Sequence, residues 1–193
     1  SSPNIAKEMH VGHLRSTIIG DSVCRVLEYL GHEVLRINHV GDWGTQFGML
    51  ISYLEEEYPN FLDQMPEIKD LEVFYVNAKK KFESNEQFKK KSYENTVKLQ
   101  SYDPHCLNAW KIICDVSRNE FNKVYQRLGV SLNEFGESFY NEKCRELIPK
   151  LEEKGVVILD QGAKIIRVPG IKLPMMIVKS DGGLTYDTTD LAA

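Results

Sequence analysis

The sequence predicts an α/β protein. Its expected frame is a doubly wound, Rossmann-like parallel sheet, incomplete within this chain, with a helical insertion and a small antiparallel β elaboration. Three observations predict it. Residues 1–57 read as loop, helix, strand, loop, helix, which is half of a doubly wound layout. Two glycine-bearing loops, at 10–13 and 41–44, fall on one edge of that layout, beyond the carboxyl ends of the strands, where such sheets bind ligands. The text then turns polar and lysine-rich over 58–110, and from about 146 to 180 it breaks into short β-rich runs separated by Gly and Pro.

The elements follow in order. After a Pro/Asn-containing loop, Leu14, Ile18, Val23, Val26, Leu27 and Leu30 recur at helical spacing and Gly31 supplies a stop, so residues 14–30 form a helix. Residues 33–40, with Val34, Leu35, Ile37 and Val40, are short and β-branched and run into Gly41-Asp42, a strand ending in a turn. Helical periodicity returns over 43–57 through Phe47, Leu50, Ile51 and Leu54. Pro59, Pro66 and Pro104 punctuate the next stretch, read as a helical insertion outside the sheet. Residues 111–128 form a second amphipathic helix capped by Gly129, and 141–154 a third that stops at Gly155. Short strands are expected at 156–159, 164–168 and 175–179. Ser180-Asp181-Gly182-Gly183 is a hairpin turn, 184–187 a further strand, and Thr188 begins a helix. The expected division is therefore 1–57 as the first part of the Rossmann-like domain, 58–110 as the insertion, and 111–193 as its continuation, including a small β insertion at about 146–180.

At 193 residues the chain fits one domain, or one domain with an insertion, on a prior of ~100–200 residues each. Twenty-four Lys and Arg against 28 Asp and Glu leave a net charge of −4, which gives no global electrostatic reason to bind nucleic acid. Cys24, Cys106, Cys114 and Cys144 have no CxxC spacing, so reduced thiols in a cytosolic protein are expected and a metal site is not. No apolar run approaches the ~18 residues of a membrane span, and no membrane partner is expected. The chain opens on Ser1 with no strand ahead of the loop, which reads as an excerpt of a longer protein.

Chemistry concentrates at His10-Val11-Gly12-His13. Two imidazoles three apart share one face at a helix N-terminus, where unpaired amides and the macrodipole favour anions. Gly12 leaves room for a flat base, and Lys7 lies one turn earlier with a mobile positive charge. A single histidine is more often a satisfied surface or core residue. The pair in this setting points to phosphate binding and to stabilising charge at phosphorus.

The word is similar to the His-Ile-Gly-His signature of class I aminoacyl-tRNA synthetases. The longer string Ser-Ser-Pro-Asn-Ile-Ala-Lys-x-x-His-x-Gly-His-Leu-Arg-Ser-Thr resembles arginyl-tRNA synthetases, specifically a eukaryotic cytosolic-like catalytic-domain fragment. Agreement is densest at 1–22, 38–51, 112–120, 136–140 and 178–193. The resemblance implies ATP-dependent, AMP-forming activation of L-arginine, with Mg2+, and its transfer to tRNA(Arg). It implies a cytoplasmic protein, and a multi-synthetase complex as a further partner. It carries Ser2, Pro3 and Asn4, then Tyr186 and Asp190 of the Tyr-Asp-Thr-x-Asp motif, to arginine binding. Glu137 follows from the Gly-Glu-Ser word. His10, Gly12 and His13 are carried to ATP, and His10, His13 and Lys7 to catalysis. A guanidinium demands a carboxylate placed for forked pairing, which Glu137 and Asp190 would supply. The Lys-Met-Ser-Lys-Ser-like loop and the anticodon-binding domain are missing, so the piece alone is not expected to aminoacylate.

Gly41-Asp42-Trp43-Gly44 also agrees with that pattern. It reads first as structural punctuation with Trp43 as a core anchor, Asp42 being the residue that could orient an active-site partner. The runs Lys79–Lys81 and Lys89–Lys91 read as a solvated face, with tRNA phosphate contact the alternative. Two other functions compete. One is another class I HxGH enzyme, such as a cysteine-tRNA ligase or an adenylyltransferase, although zinc-ligand cysteine spacing is lacking. The other is a non-catalytic binding or scaffolding relative, although every motif position holds a competent residue.

Overall fold

A computed structural model describes residues 1–64, 66, 68 and 70–193; Met65, Glu67 and Lys69, within the expected insertion, lie outside the described residues. Helix α1 (Val11–Tyr29) opens three residues earlier than the apolar pattern, because His10 caps it. Strand β1 is only Ile37–Asn38, not the whole of 33–40. Its neighbour β2 (Asn133–Glu134) lies parallel to it, Ile37 facing Asn133 and Asn38 facing Glu134. A parallel bridge between Asn4 and Gly41 adds the N-terminal loop on the other side. Two hydrogen bonds fasten it: Gly41 N–H donates to Pro3 O at 3.0 Å and Ile5 N–H to Gly41 O at 3.1 Å. The parallel frame thus aligns three segments that are far apart in sequence.

Helices α2 (Thr45–Glu57), α3 (Leu71–Ser84), α4 (Glu86–Gln100) and α5 (Pro104–Leu128) pack beside that frame. Helix α2 is buried along its length, and Phe47, Leu50, Ile51 and Leu54 share one core with Phe74, Ala78, Phe88, Leu99 and Ile113. The crossing of α2 and α4 depends on Gly48: a Cβ there would stand 2.0 Å from Ser92 O and 2.1 Å from Thr96 Oγ1. Helix α5 starts at Pro104, behind an Asp103 cap, and runs unbroken past position 110 to Gly129, which closes it at φ 66.

The later half holds α6 (Asn141–Glu153), the antiparallel strands β3 (Val157–Asp160), β4 (Ala163–Ile166) and β5 (Met175–Val178), and α7 (Tyr186–Ala192). The strand expected over 184–187 is corrected: only Leu184 bridges to Val178, and Tyr186 already opens α7. The cause is tertiary. The Thr185 and Thr188 hydroxyls donate to the carbonyls of Met176 and Ile177, so the segment spends its hydrogen bonds turning into a helix. Helix α1 departs from its pattern in another way. Ile18, Val23 and Val26 are at least half exposed and Thr17 is its buried residue, so among the described residues nothing covers its apolar side. No helix among those residues is long and apolar enough to cross a membrane.

Candidate active site

The N-terminal loop is held in a strained path by hydrogen bonds to distant elements. Ser2 and Ala6 take positive φ values of 53° and 62°, a region that costs non-glycine residues energy. Ser2 N–H donates to the buried Asn38 Oδ1 at 2.6 Å, and Ala6 N–H to Ser117 Oγ on α5 at 2.9 Å. Asn4 lies so close to Gly41 that a Cβ there would come within 2.0 Å of Asn4 Oδ1. The loop residues expected at the site are therefore fixed by partners on β1 and α5.

At the head of α1 the two imidazoles form a reciprocal cap. His10 Nδ1 accepts from Gly12 N–H and His13 Nδ1 from His10 N–H, both at 3.1 Å. The rings stack at 3.9 Å between centroids. Since both Nδ1 atoms accept, both neutral rings carry their proton on Nε2 and offer it outward as a donor. Burial, then the neighbouring His10 and the N-terminal charge, lower the His13 pKa and favour its neutral form. Gly12 does more than leave space for a base. A Cβ there would meet His10 Cε1 at 2.9 Å, so the cap itself needs glycine. Lys7 is not gathered with them: its Nζ sits 5.5 Å from the Tyr75 ring centre and lines a separate groove with Leu71 and Phe121.

The acidic end is built from three elements. Asp42, buried after β1, accepts from Ser138 N–H at 2.8 Å and Ser138 Oγ–H at 2.6 Å, with Arg118 at 3.5 Å. Its carboxyl is pushed up by burial, against the pull of Ser138 and Arg118. Gly136 cannot be larger, because a Cβ would lie 2.6 Å from both Asp42 oxygens. Asp42 thus pins the residues on either side of Glu137. The Glu137 carboxylate in turn accepts from Trp43 N–H at 3.3 Å, and burial, helped by the charges of Asp42 and Asp190, pushes its pKa up to about 7.

Two adjoining cavities meet at Glu137. One, of about 460 Å3, is lined by Ser2, Asn4, His39, Glu137, Tyr140 and Asp190. The other, of about 550 Å3, is lined by Asn4, Trp43, Glu137, Asn141, Lys179 and Tyr186, the last 70% exposed. Loop and tail residues expected to act together are therefore neighbours. His39, Tyr140 and Asn141 were not among the expected site residues. Two of them follow Glu137 in Ser-Phe-Tyr-Asn, and the i, i+4 spacing of Glu137 and Asn141 across a helix start was the available signal.

This fold and site define the catalytic domain of a class I tRNA synthetase: the family model described as tRNA synthetases class I (R), catalytic domain, matches residues 1–193, and the chain belongs to that family. Within it the chain is similar to cytoplasmic arginine–tRNA ligases, at 58% identity over 193 residues with those of Bos taurus and Homo sapiens. The match covers 100% of this chain and 29% of each relative, so the chain spans under a third of their length. A crystal structure of arginyl-tRNA synthetase from Plasmodium falciparum superposes with a TM-score of 0.85 at 45% identity, covering 99% of this chain and 32% of that one. The Thermus thermophilus arginyl-tRNA synthetase shares the fold, with a TM-score of 0.58 at 22% identity.

Proposed function

We propose that the protein carrying this chain is an ATP-dependent, AMP-forming arginine–tRNA ligase acting in the cytoplasm. An arginine carboxylate oxygen attacks the α-phosphorus of ATP, the new O–P bond forms, the α–β bridge breaks and pyrophosphate leaves. A terminal ribose hydroxyl of tRNA(Arg) then attacks the adenylate carbonyl and AMP leaves. No protein nucleophile is required, so catalysis is positioning and charge stabilisation.

In this reading Ser2, Pro3, Asn4, Glu137, Tyr186 and Asp190 hold arginine, the carboxylates taking the guanidinium. His10, Gly12 and His13 hold ATP at the N-terminus of α1, the Nε2 protons meeting phosphate oxygens. Lys7 would add its charge only by leaving the Tyr75 ring. Mg2+ would enter as the counter-ion of ATP. Among the described residues no cluster of three or more His, Cys, Asp or Glu is placed to hold a metal. Residues 1–57 and 111–193 carry most of the site, and 58–110 is an insertion that buttresses α2 and adds Gln100 to the cavity wall. Assembly into a multi-synthetase complex is the outermost part of the proposal.

The observation that carries it is the convergence of Ser2 and Asn4 with Glu137 and Asp190 on one cavity. The likeness to named arginine–tRNA ligases supports the choice of amino acid. The test is amino-acid-dependent ATP–pyrophosphate exchange with tRNA present, run on the protein at the full length of its relatives. Arginine should support exchange, while citrulline, which keeps the shape and loses the charge, should not. Equal use of citrulline would overturn the reading.

A further inference from the structure

We propose that the Asn141 side-chain oxygen is a specificity-determining acceptor for a guanidinium N–H, seated in the same cavity as Glu137; this rests on the arginine reading given above.

Asn141 opens α6, is 2% exposed, and lines the larger of the two cavities together with Glu137, Trp43 and Gln100. Its amide orientation is determined: Nδ2 donates to Gln100 O at 3.2 Å, and a carbonyl can only accept. Oδ1 is then left buried with no hydrogen-bond partner. A buried acceptor left empty is destabilising, so native proteins seldom keep one without a use. The occupant it calls for is a donor.

Charge says which donor. Burial, and then the charges of Asp42 and Asp190, already disfavour the ionised form of Glu137 here. A fourth carboxylate would be hard to ionise, whereas an amide oxygen adds an acceptor without adding charge. A guanidinium has five donors in a rigid plane and one carboxylate satisfies two of them. A neutral oxygen on the next turn can take a third. A lysine ammonium is a compact point charge without that fork and would leave Oδ1 empty, so the arrangement rejects lysine by the penalty of an unpaired buried group.

Two variants of the full-length protein test this, with KM read separately for arginine and ATP and with thermal melting. Asn141→Leu keeps the branched shape with some added bulk and removes both the acceptor and the tether to Gln100. It should raise KM for arginine about 10- to 100-fold, as expected for losing a hydrogen bond to a charged donor, and leave KM for ATP near the parent value. Asn141→Asp retains the acceptor but turns an oxygen toward the Gln100 carbonyl. It should recover most of the arginine KM even though it melts lower. An arginine KM within twofold of the parent in Asn141→Leu would overturn the proposal. So would parallel losses for arginine, ATP and melting temperature in both variants, because those report only the tether to Gln100. A parent protein with no arginine-dependent exchange overturns the functional reading itself, an outcome plainly different from a normal parent whose Asn141→Leu variant is also normal.

Discussion

Glu137 shows how one side chain can be both cost and instrument. Its pKa near 7, against an ordinary value of 4.5, means that between those pH values the folded chain keeps a proton that the unfolded chain has lost. Its contribution to stability is therefore complete below about 4.5 and is lost as pH rises through about 7. A guanidinium would reverse the preference by favouring the carboxylate. Arginine affinity should accordingly rise with pH, by up to about tenfold per unit below the pKa, and level off above it. Calorimetry in buffers of different ionisation enthalpy should show proton release at pH 6 and little at pH 8, and Glu137→Gln should abolish the difference. At Asp190, which is exposed in this chain, replacement by Asn should raise the arginine KM about 10- to 100-fold, since losing a hydrogen bond to a charged partner costs ~1.5–3 kcal/mol. An unchanged arginine KM in that variant would remove Asp190 from the pocket.

Elements act here through their ends and crossings. The cap of α1 spends both imidazole Nδ1 atoms, so His10→Ala should cost structure as well as chemistry: about 0.5–2 kcal/mol of helix stability, visible in hydrogen exchange at residues 12–14. His10→Asn, another capping residue, should restore that protection without restoring pyrophosphate exchange. Close backbone approach sets a second limit. Gly136→Ala would drive a methyl into the Asp42 carboxylate, 2.6 Å away, and displace the turn that presents Glu137. Overpacking of this kind costs typically 1–3 kcal/mol, and the loss should appear in both melting temperature and arginine KM. Gly48→Ala is the useful contrast. It pries α2 from α4, so melting should fall by a similar amount while the ratio of arginine to ATP KM stays near the parent value.

At the scale of the whole molecule, the site is a meeting of chain ends. Ser2 and Asn4 are set against β1, Glu137 follows β2, and Asp190 comes from α7, so arginine binding needs all three in register. The head of α1 differs: the His10 ring is exposed, His13 is half-buried, and most apolar side chains behind them are uncovered among the described residues. The isolated chain should therefore bind arginine weakly, in the pH-dependent manner of Glu137, and show no arginine-dependent exchange. Calorimetry and an exchange assay on the chain alone check both halves of that expectation.

Local signals made much of this legible. Helical periodicity and the Gly31 and Gly129 stops located α1 and α5, and the spacing of His10, Gly12 and His13 marked a helix head, because each depends on neighbours within a few residues. The strand at 33–40 shrank to Ile37–Asn38, β2 had no pattern of its own, and 184–187 became the start of a helix, because pairing and the hydroxyls of Thr185 and Thr188 come from distant segments. Lys7 likewise joined Tyr75 rather than the histidines. What the sequence alone determined was family and the chemical kind of each motif, since these follow from residue identity in order. Only the tertiary structure decided that Glu137 carries a raised pKa, that Asp42 supports it, and that Asn141 holds an unused acceptor, because burial and charge proximity are properties of packing that no single stretch of chain contains.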